Sequence, residues 1–137
     1  MKVIFLDFDG VLTTKLTRFS FGDPICVREL NRITTMTDAD IVVSSTWRFA
    51  GLRSVREDMF NWGVAKIPID ITPRLLDDGK SRGEEIQQWL VENFGVTRFV
   101  ILDDDTDMGN LRDKLVKCDT SIGLTPTLAD FAIQKLL

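Results

Sequence analysis

The chain contains no histidine. That absence removes Ser-His-Asp triads, imidazole general bases and histidine-bearing zinc sites from consideration. Cysteine is nearly as scarce: Cys26 and Cys118 stand too far apart to make a metal or redox spacing. Two isolated thiols read as reduced core residues of a cytoplasmic protein. No apolar run approaches the ~20 residues that a membrane-crossing helix requires. Met1-Lys2-Val3 leads straight into an apolar run, without the pattern of a signal peptide. An excess of positive charge is missing too. The net charge of −4 offers no global attraction to nucleic acid, although a bound cation would neutralise several carboxylates. The 137 residues suit a single domain, 1–137, that can bury roughly two-thirds of its unfolded surface. Nothing in the chain sets an oligomeric state.

What is present is concentrated in two segments. Ile4-Phe5-Leu6-Asp7-Phe8-Asp9-Gly10-Val11 and Phe99-Val100-Ile101-Leu102-Asp103-Asp104-Asp105 are apolar runs that stop abruptly in carboxylates. Short apolar runs of this kind read as fully buried parallel strands, so the aspartates belong at strand carboxyl ends. Ligands of open α/β sheets bind at that edge. Four or five carboxylates meeting there repel one another unless a hard cation lies between them, and Mg²⁺ is the ion such an all-oxygen site selects.

Between these segments strands and helices alternate without linker, repeat or low-complexity tract. Strands are expected over 2–8, 40–44, 64–69, 98–103 and, more weakly, 115–118, with Pro68 placing the third at an edge. Asp23-Pro24 starts a helix whose Cys26, Leu30 and Ile33 share a face; a second helix covers 52–61. Ser81-Arg82-Gly83-Glu84 has the form of a capping box, followed by the stripe Ile86, Trp89, Leu90 and Phe94. Further helices are expected over 107–114 and after Thr125-Pro126. Repeated βα units of this length imply an α/β fold, a doubly wound parallel sheet between helical layers.

Asp7-Phe8-Asp9-Gly10-Val11-Leu12 resembles the opening motif of the haloacid-dehalogenase-like (HAD) phosphatases. The later motifs of that superfamily have counterparts in order: Ser44 after the second strand, Lys80 or Arg82 before a helix, and Asp103-Asp104 after the fourth strand. More narrowly, Ser44-Ser45-Thr46-Trp47-Arg48, Arg82-Gly83-Glu84-Glu85-Ile86, the stretch Leu102 to Met108 and Gly123-Leu124-Thr125 are similar to the small HAD domains of Swiss Army knife RNA-repair proteins. The resemblance spans nearly the whole chain and implies a Rossmann-like HAD fold. It also implies roles. Asp7 would be the nucleophile that forms an aspartyl-phosphate, and Asp9 would protonate the leaving alcohol and then activate water. Asp7, the backbone carbonyl of Asp9, Asp103 and Asp104 would hold Mg²⁺. An aspartate at the second position is carried by phosphatases and phosphomutases of the superfamily, whereas the ion-pumping ATPases carry threonine.

Other positions admit two readings. Ser44 and Ser45 are candidate phosphate donors, with a strand-to-helix cap as the alternative. Arg82, at a helix start, competes with Lys80 as the phosphate-binding cation. Trp47 and Arg48 are candidate substrate contacts, or else a core aromatic and a paired cation. Asp105 and Asp107 read as a capping cluster, and Trp62 and Trp89 as core. Neither 13–40 nor 49–80 is long enough to carry a substantial cap domain. An open site suits a large phosphorylated substrate such as an RNA or DNA end, met by the cations and aromatics of Thr13 to Phe19 and Trp47 to Arg53. A nucleotide or small-metabolite phosphatase, or a binding module without turnover, are the competing functions.

Overall fold

The computed structural model describes residues 1–137. Its centre is a five-stranded sheet of β1 (Lys2–Leu6), β2 (Asp40–Val43), β3 (Asp70–Ile71), β4 (Arg98–Asp103) and β5 (Leu115–Lys117). The spatial order is β3-β2-β1-β4-β5 and every pairing is parallel. Helices α1 (Pro24–Thr37), α2 (Leu52–Asn61), α3 (Arg82–Glu92) and α4 (Pro126–Leu136) connect and cover it.

Both faces of the sheet are buried, which is why its strands are apolar throughout rather than alternating. Ile4, Leu6, Ile41, Val43, Val100 and Leu102 point into the larger core with Leu30 and Ile33 of α1, Met59 of α2 and Leu136 of α4. The intervening Val3, Phe5, Val42 and Ile101 point the other way, onto Ile86 and Trp89 of α3. Cys26 and Cys118 are free thiols inside the larger core.

Local chemistry sets the helix starts. Asp23 accepts from Ile25 N at 3.0 Å ahead of Pro24, Ser81 from Glu84 N at 3.2 Å, and Thr125 from Leu128 N at 3.2 Å ahead of Pro126. Three expectations need correction. The third strand is not at 64–69 but at Asp70–Ile71, because Pro68 has no N–H to donate and pairing with β2 begins only beyond it. Residues 107–114 form no α-helix; a 3₁₀ segment runs from Gly109 to Lys114, entered through a positive φ of 55° at Gly109. Phe94 lies past the end of α3 and is exposed rather than on its buried stripe.

One buried ion pair ties the carboxyl ends of β2 and β3 to α3. Arg48 Nη2 lies 2.7 Å from Glu85 Oε2, with side-chain exposures of 1% and 0%. The remaining guanidinium hydrogens go to Thr72 O, Ser44 O, Ser45 O and Pro73 O, at 2.8–3.1 Å. Glu85 Oε2 also accepts from Leu75 N at 2.8 Å. Removing one partner strands a charge in the interior, at a cost of about 3–5 kcal/mol, and replacing both by apolar groups offers no escape, since each buried backbone group left unpaired costs about 1–3 kcal/mol. Denaturant unfolding should therefore show Glu85→Ala strongly destabilised, and the pair Arg48→Met, Glu85→Leu no better, because the carbonyls of Ser44, Ser45, Thr72 and Pro73 would then lose their donor. A Glu85→Ala loss under about 1 kcal/mol would show that the pair does not hold these strand ends.

Candidate active site

The chain leaves β1 for β2 and β3 on one side and crosses to β4 on the other, so a crevice opens past the carboxyl ends of β1 and β4. Asp7 follows β1 directly and Asp103 ends β4, locked together by Asp7 N donating to Leu102 O at 3.0 Å. After Asp7 the chain curls: Phe8 O accepts from the N–H groups of Val11, Leu12 and Thr13. Gly10 makes the curl possible. Its φ is +80°, and a Cβ there would collide with the Asp104 carboxylate.

A cavity of about 180 Å³ lies at this edge, and apart from Arg82 and Thr46 every residue lining it is an aspartate. Arg82 Nη1 sits 3.1 Å from Asp7 Oδ1 and 2.9 Å from Asp103 Oδ2. It reaches them because α3 starts against the loop after β4, where a Cβ on Gly83 would strike the backbone of Met108. Asp107 fastens the same junction: its carboxylate accepts from Arg82 N at 3.4 Å and its carbonyl from Gly83 N at 3.1 Å. Lys80 is elsewhere. It is exposed, its nearest partner being Glu84 at 3.9 Å, so the cation of the cavity is Arg82.

One guanidinium does not neutralise this many carboxyls. Burial, reinforced by the charge of Asp103 and only partly offset by Arg82, pushes the Asp7 carboxyl up to about 8. Burial raises Asp103 as well, against the pull of Arg82. The two carboxylates in turn overcome the burial of Arg82 and hold its pKa above the ordinary value. Carboxylate oxygens of Asp7, Asp103 and Asp104 lie within 4.8 Å of one another. A crowded all-oxygen trio with too little positive charge suits a hard divalent cation such as Mg²⁺. The Asp9 side chain is outside this trio. Thr120 Oγ1 steadies Asp104 at 2.8 Å, and Asp105 N donates to Asp103 Oδ1 at 2.9 Å.

Asp9 has its own partners. Thr13 Oγ1 donates to its Oδ1 at 2.7 Å and Trp47 Nε1 to its Oδ2 at 3.1 Å. The indole ring packs edge-on against Phe8 and Trp62, with centroids 5.5 and 5.4 Å away. Trp47 is thus joined to the core and to Asp9 instead of standing as a free platform for a base. Arg48 requires a plainer correction: with its side chain 1% exposed and every N–H spent on strand-end carbonyls and Glu85, it has nothing left to offer a substrate. Of the two serines, Ser45 is the cap, its Oγ accepting from Trp47 N at 3.2 Å. Ser44 Oγ is buried without a hydrogen-bond partner. Sequence reasoning assigned no role to Thr13, Thr46 or Thr120. For Thr13 a signal existed, a hydroxyl four residues past Asp9 just beyond the glycine turn; Thr120 meets Asp104 from a loop with no distinguishing pattern.

The carboxylate trio leads to a measurable outcome. A cation that binds only the folded chain adds RT ln(1 + [L]/Kd), about 2.7 kcal/mol at a hundred times Kd. Millimolar Mg²⁺ should raise the unfolding temperature of the wild type and shift Asp103→Asn much less; equal shifts, or none, would separate Asp103 from any metal site.

No curated protein and no solved structure matches the chain. A family model does, from residue 3 to residue 129, and with the match running across the sheet and both acid-ended strands the chain belongs to the family described as the HAD domain in Swiss Army Knife RNA repair proteins.

Proposed function

We propose that this domain is a Mg²⁺-dependent phosphohydrolase that works through an aspartyl-phosphate on Asp7 and removes terminal phosphate from RNA or DNA. The observation that carries the reading is the presence of two differently supported carboxyl groups at one cavity. Asp7 lies against Arg82 among other carboxylates, whereas Asp9 is held by two neutral donors. Two carboxyls with separate environments are what a nucleophile and a general acid/base require.

Asp7 Oδ1 accepts from Phe8 N at 2.9 Å and meets Arg82, while Oδ2 has neither contact. In the first step Asp7 Oδ2 attacks phosphorus, the bond from phosphorus to the leaving alcohol breaks, and Asp9 gives that oxygen its proton. In the second, water attacks the phosphorus of the acyl phosphate, Asp9 takes the proton, and Asp7 is released with inorganic phosphate. Arg82 and the unpaired Ser44 hydroxyl would hold phosphate oxygens. Asp7, Asp103 and Asp104, with the backbone carbonyl of Asp9, would hold Mg²⁺, which when bound offsets the repulsion between an anionic carboxylate and an anionic phosphate. The domain's family supports the nucleic-acid end as substrate. So does the size of the cavity, which takes a phosphate group and little of what carries it.

Asp7→Asn should keep the fold and lose at least a hundredfold in activity, since the charge that attacks is gone at constant volume. Asp9→Asn should accumulate acid-stable label from a ³²P-labelled aryl phosphate, whose leaving group departs without a proton. With the wild type and Mg²⁺, kcat/KM should be higher for 3′- or 5′-phosphorylated oligonucleotides than for mononucleotides or phosphopeptides, and should fall more steeply with salt. Preference for mononucleotides by a wide margin would replace the end-repair reading with that of a metabolite phosphatase.

A further inference from the structure

Asp9 is reached from two directions. Thr13 comes from its own turn, but Trp47 comes from 38 residues away, in the 3₁₀ turn that follows β2. That turn is not free to drift. Ser45 caps it, Arg48 pins it to Glu85, and Phe8 and Trp62 clasp the indole from the core side, with Phe8 and Trp62 themselves 5.2 Å apart. The indole N–H therefore arrives at Asp9 Oδ2 from a rigid support.

An indole nitrogen donates and cannot accept, so it orients a carboxylate without exchanging a proton with it. A threonine hydroxyl can do both. With Trp47 on Oδ2 and Thr13 on Oδ1, the plane and tilt of the Asp9 carboxyl are set by two donors of different character. Misplacement of a proton donor by about 1 Å costs of the order of a hundredfold in rate. We propose that Trp47 is a positioning residue for Asp9, fixing its carboxyl for proton transfer to the leaving oxygen, with Thr13 completing the clamp. The proposal rests on the reading of Asp9 as the general acid/base.

The test compares kcat/KM on two small substrates: an alkyl phosphate with no ring, glycerol 2-phosphate, and p-nitrophenyl phosphate, whose leaving group departs without a proton. kcat/KM reports the step in which the leaving group departs. Trp47→Phe keeps an aromatic ring and removes the N–H. It should lose about tenfold or more on the alkyl phosphate and less than about threefold on the aryl one. Thr13→Val should show the same asymmetry, and Thr13→Ser should recover most of it. Trp62→Phe disturbs the same aromatic cluster without touching Asp9, so any loss it causes should fall on both substrates alike.

Equal losses on the two substrates for both Trp47→Phe and Thr13→Val would overturn the clamp. A greater loss on the aryl phosphate for Trp47→Phe would do so as well, by making Trp47 a stacking surface. Asp9→Asn, run alongside, separates the two hypotheses. If it discriminates between the substrates and Trp47→Phe does not, the positioning role alone fails. If Asp9→Asn does not discriminate, the acid/base reading of Asp9 fails, and the clamp with it.

Discussion

The buried pair of Arg48 and Glu85 is the interaction on which the candidate site hangs. Parallel strands end at one edge of a sheet with carbonyls that the ladder no longer satisfies, and in the interior each such group needs a partner. Here four of them, from Ser44, Ser45, Thr72 and Pro73, converge on a single guanidinium. Burial lowers the pKa of Arg48 despite the opposing charge of Glu85, and the fork of five donors explains why arginine rather than lysine can fill this place. Glu85 sits one turn along α3 from Arg82. Fixing Glu85 therefore fixes the helix start from which Arg82 reaches Asp7 and Asp103, so a contact made wholly in the core sets the position of the charge in the cavity.

The edge itself is a problem of like charges, and the fold treats its members unequally. Asp9, Asp104 and Asp107 are each given neutral donors: a threonine and an indole, a threonine, and a backbone amide at a helix start. Hydrogen bonds to a carboxylate stabilise it without adding charge. Asp7 and Asp103 share Arg82 and are the most buried of the group. Arg82 is the one cation lining the cavity, so the edge keeps a net negative charge, and it is between β1 and β4 that the crowding is tightest. Distributing a positive residue to every carboxylate would have relieved the repulsion and left nothing to attract a cation.

How far this was legible follows the range of the interactions. The acid-ended strands, the two-sided burial and the helix starts at Asp23, Ser81 and Thr125 depend on neighbours in sequence, and the chain declares them. The choice of Arg82 over Lys80 turns on which side of a helix start faces β4, two residues making the difference between 2.9 Å from Asp103 and an exposed lysine. For Arg48 a paired cation was one of two readings, and the choice lay beyond reach because its partner is 37 residues away and its other acceptors are backbone atoms that leave no mark on the sequence. Trp47 stayed open between substrate contact and core aromatic for a related reason. An aromatic beside a cation has the composition of a nucleic-acid contact, but its indole N–H is engaged by Asp9 and its ring by Phe8 and Trp62.

With Trp47 and Arg48 occupied internally, an extended substrate would have to be met by side chains farther out. Lys15, Arg18, Arg53 and Arg74 are exposed, and Arg74 lies 3.9 Å over the ring of the exposed Phe49. The loop bearing Lys15 and Arg18 is fastened at both ends, by Lys15 N to Ser121 O and by Thr14 Oγ1 to Asp23 Oδ2, while Leu16, Phe19 and Phe21 on it stay exposed. A polyanionic substrate of the kind proposed would experience two fields of opposite sign: attraction by these scattered cations and repulsion by the aspartates of the cavity. Over a Debye length of about 10 Å at 0.1 M salt the second reaches little beyond the cavity mouth. On the proposed reading these outlying cations would govern capture and the cavity would govern reaction, so that binding of a long substrate and turnover of its terminal phosphate would be separable by substitutions at different residues.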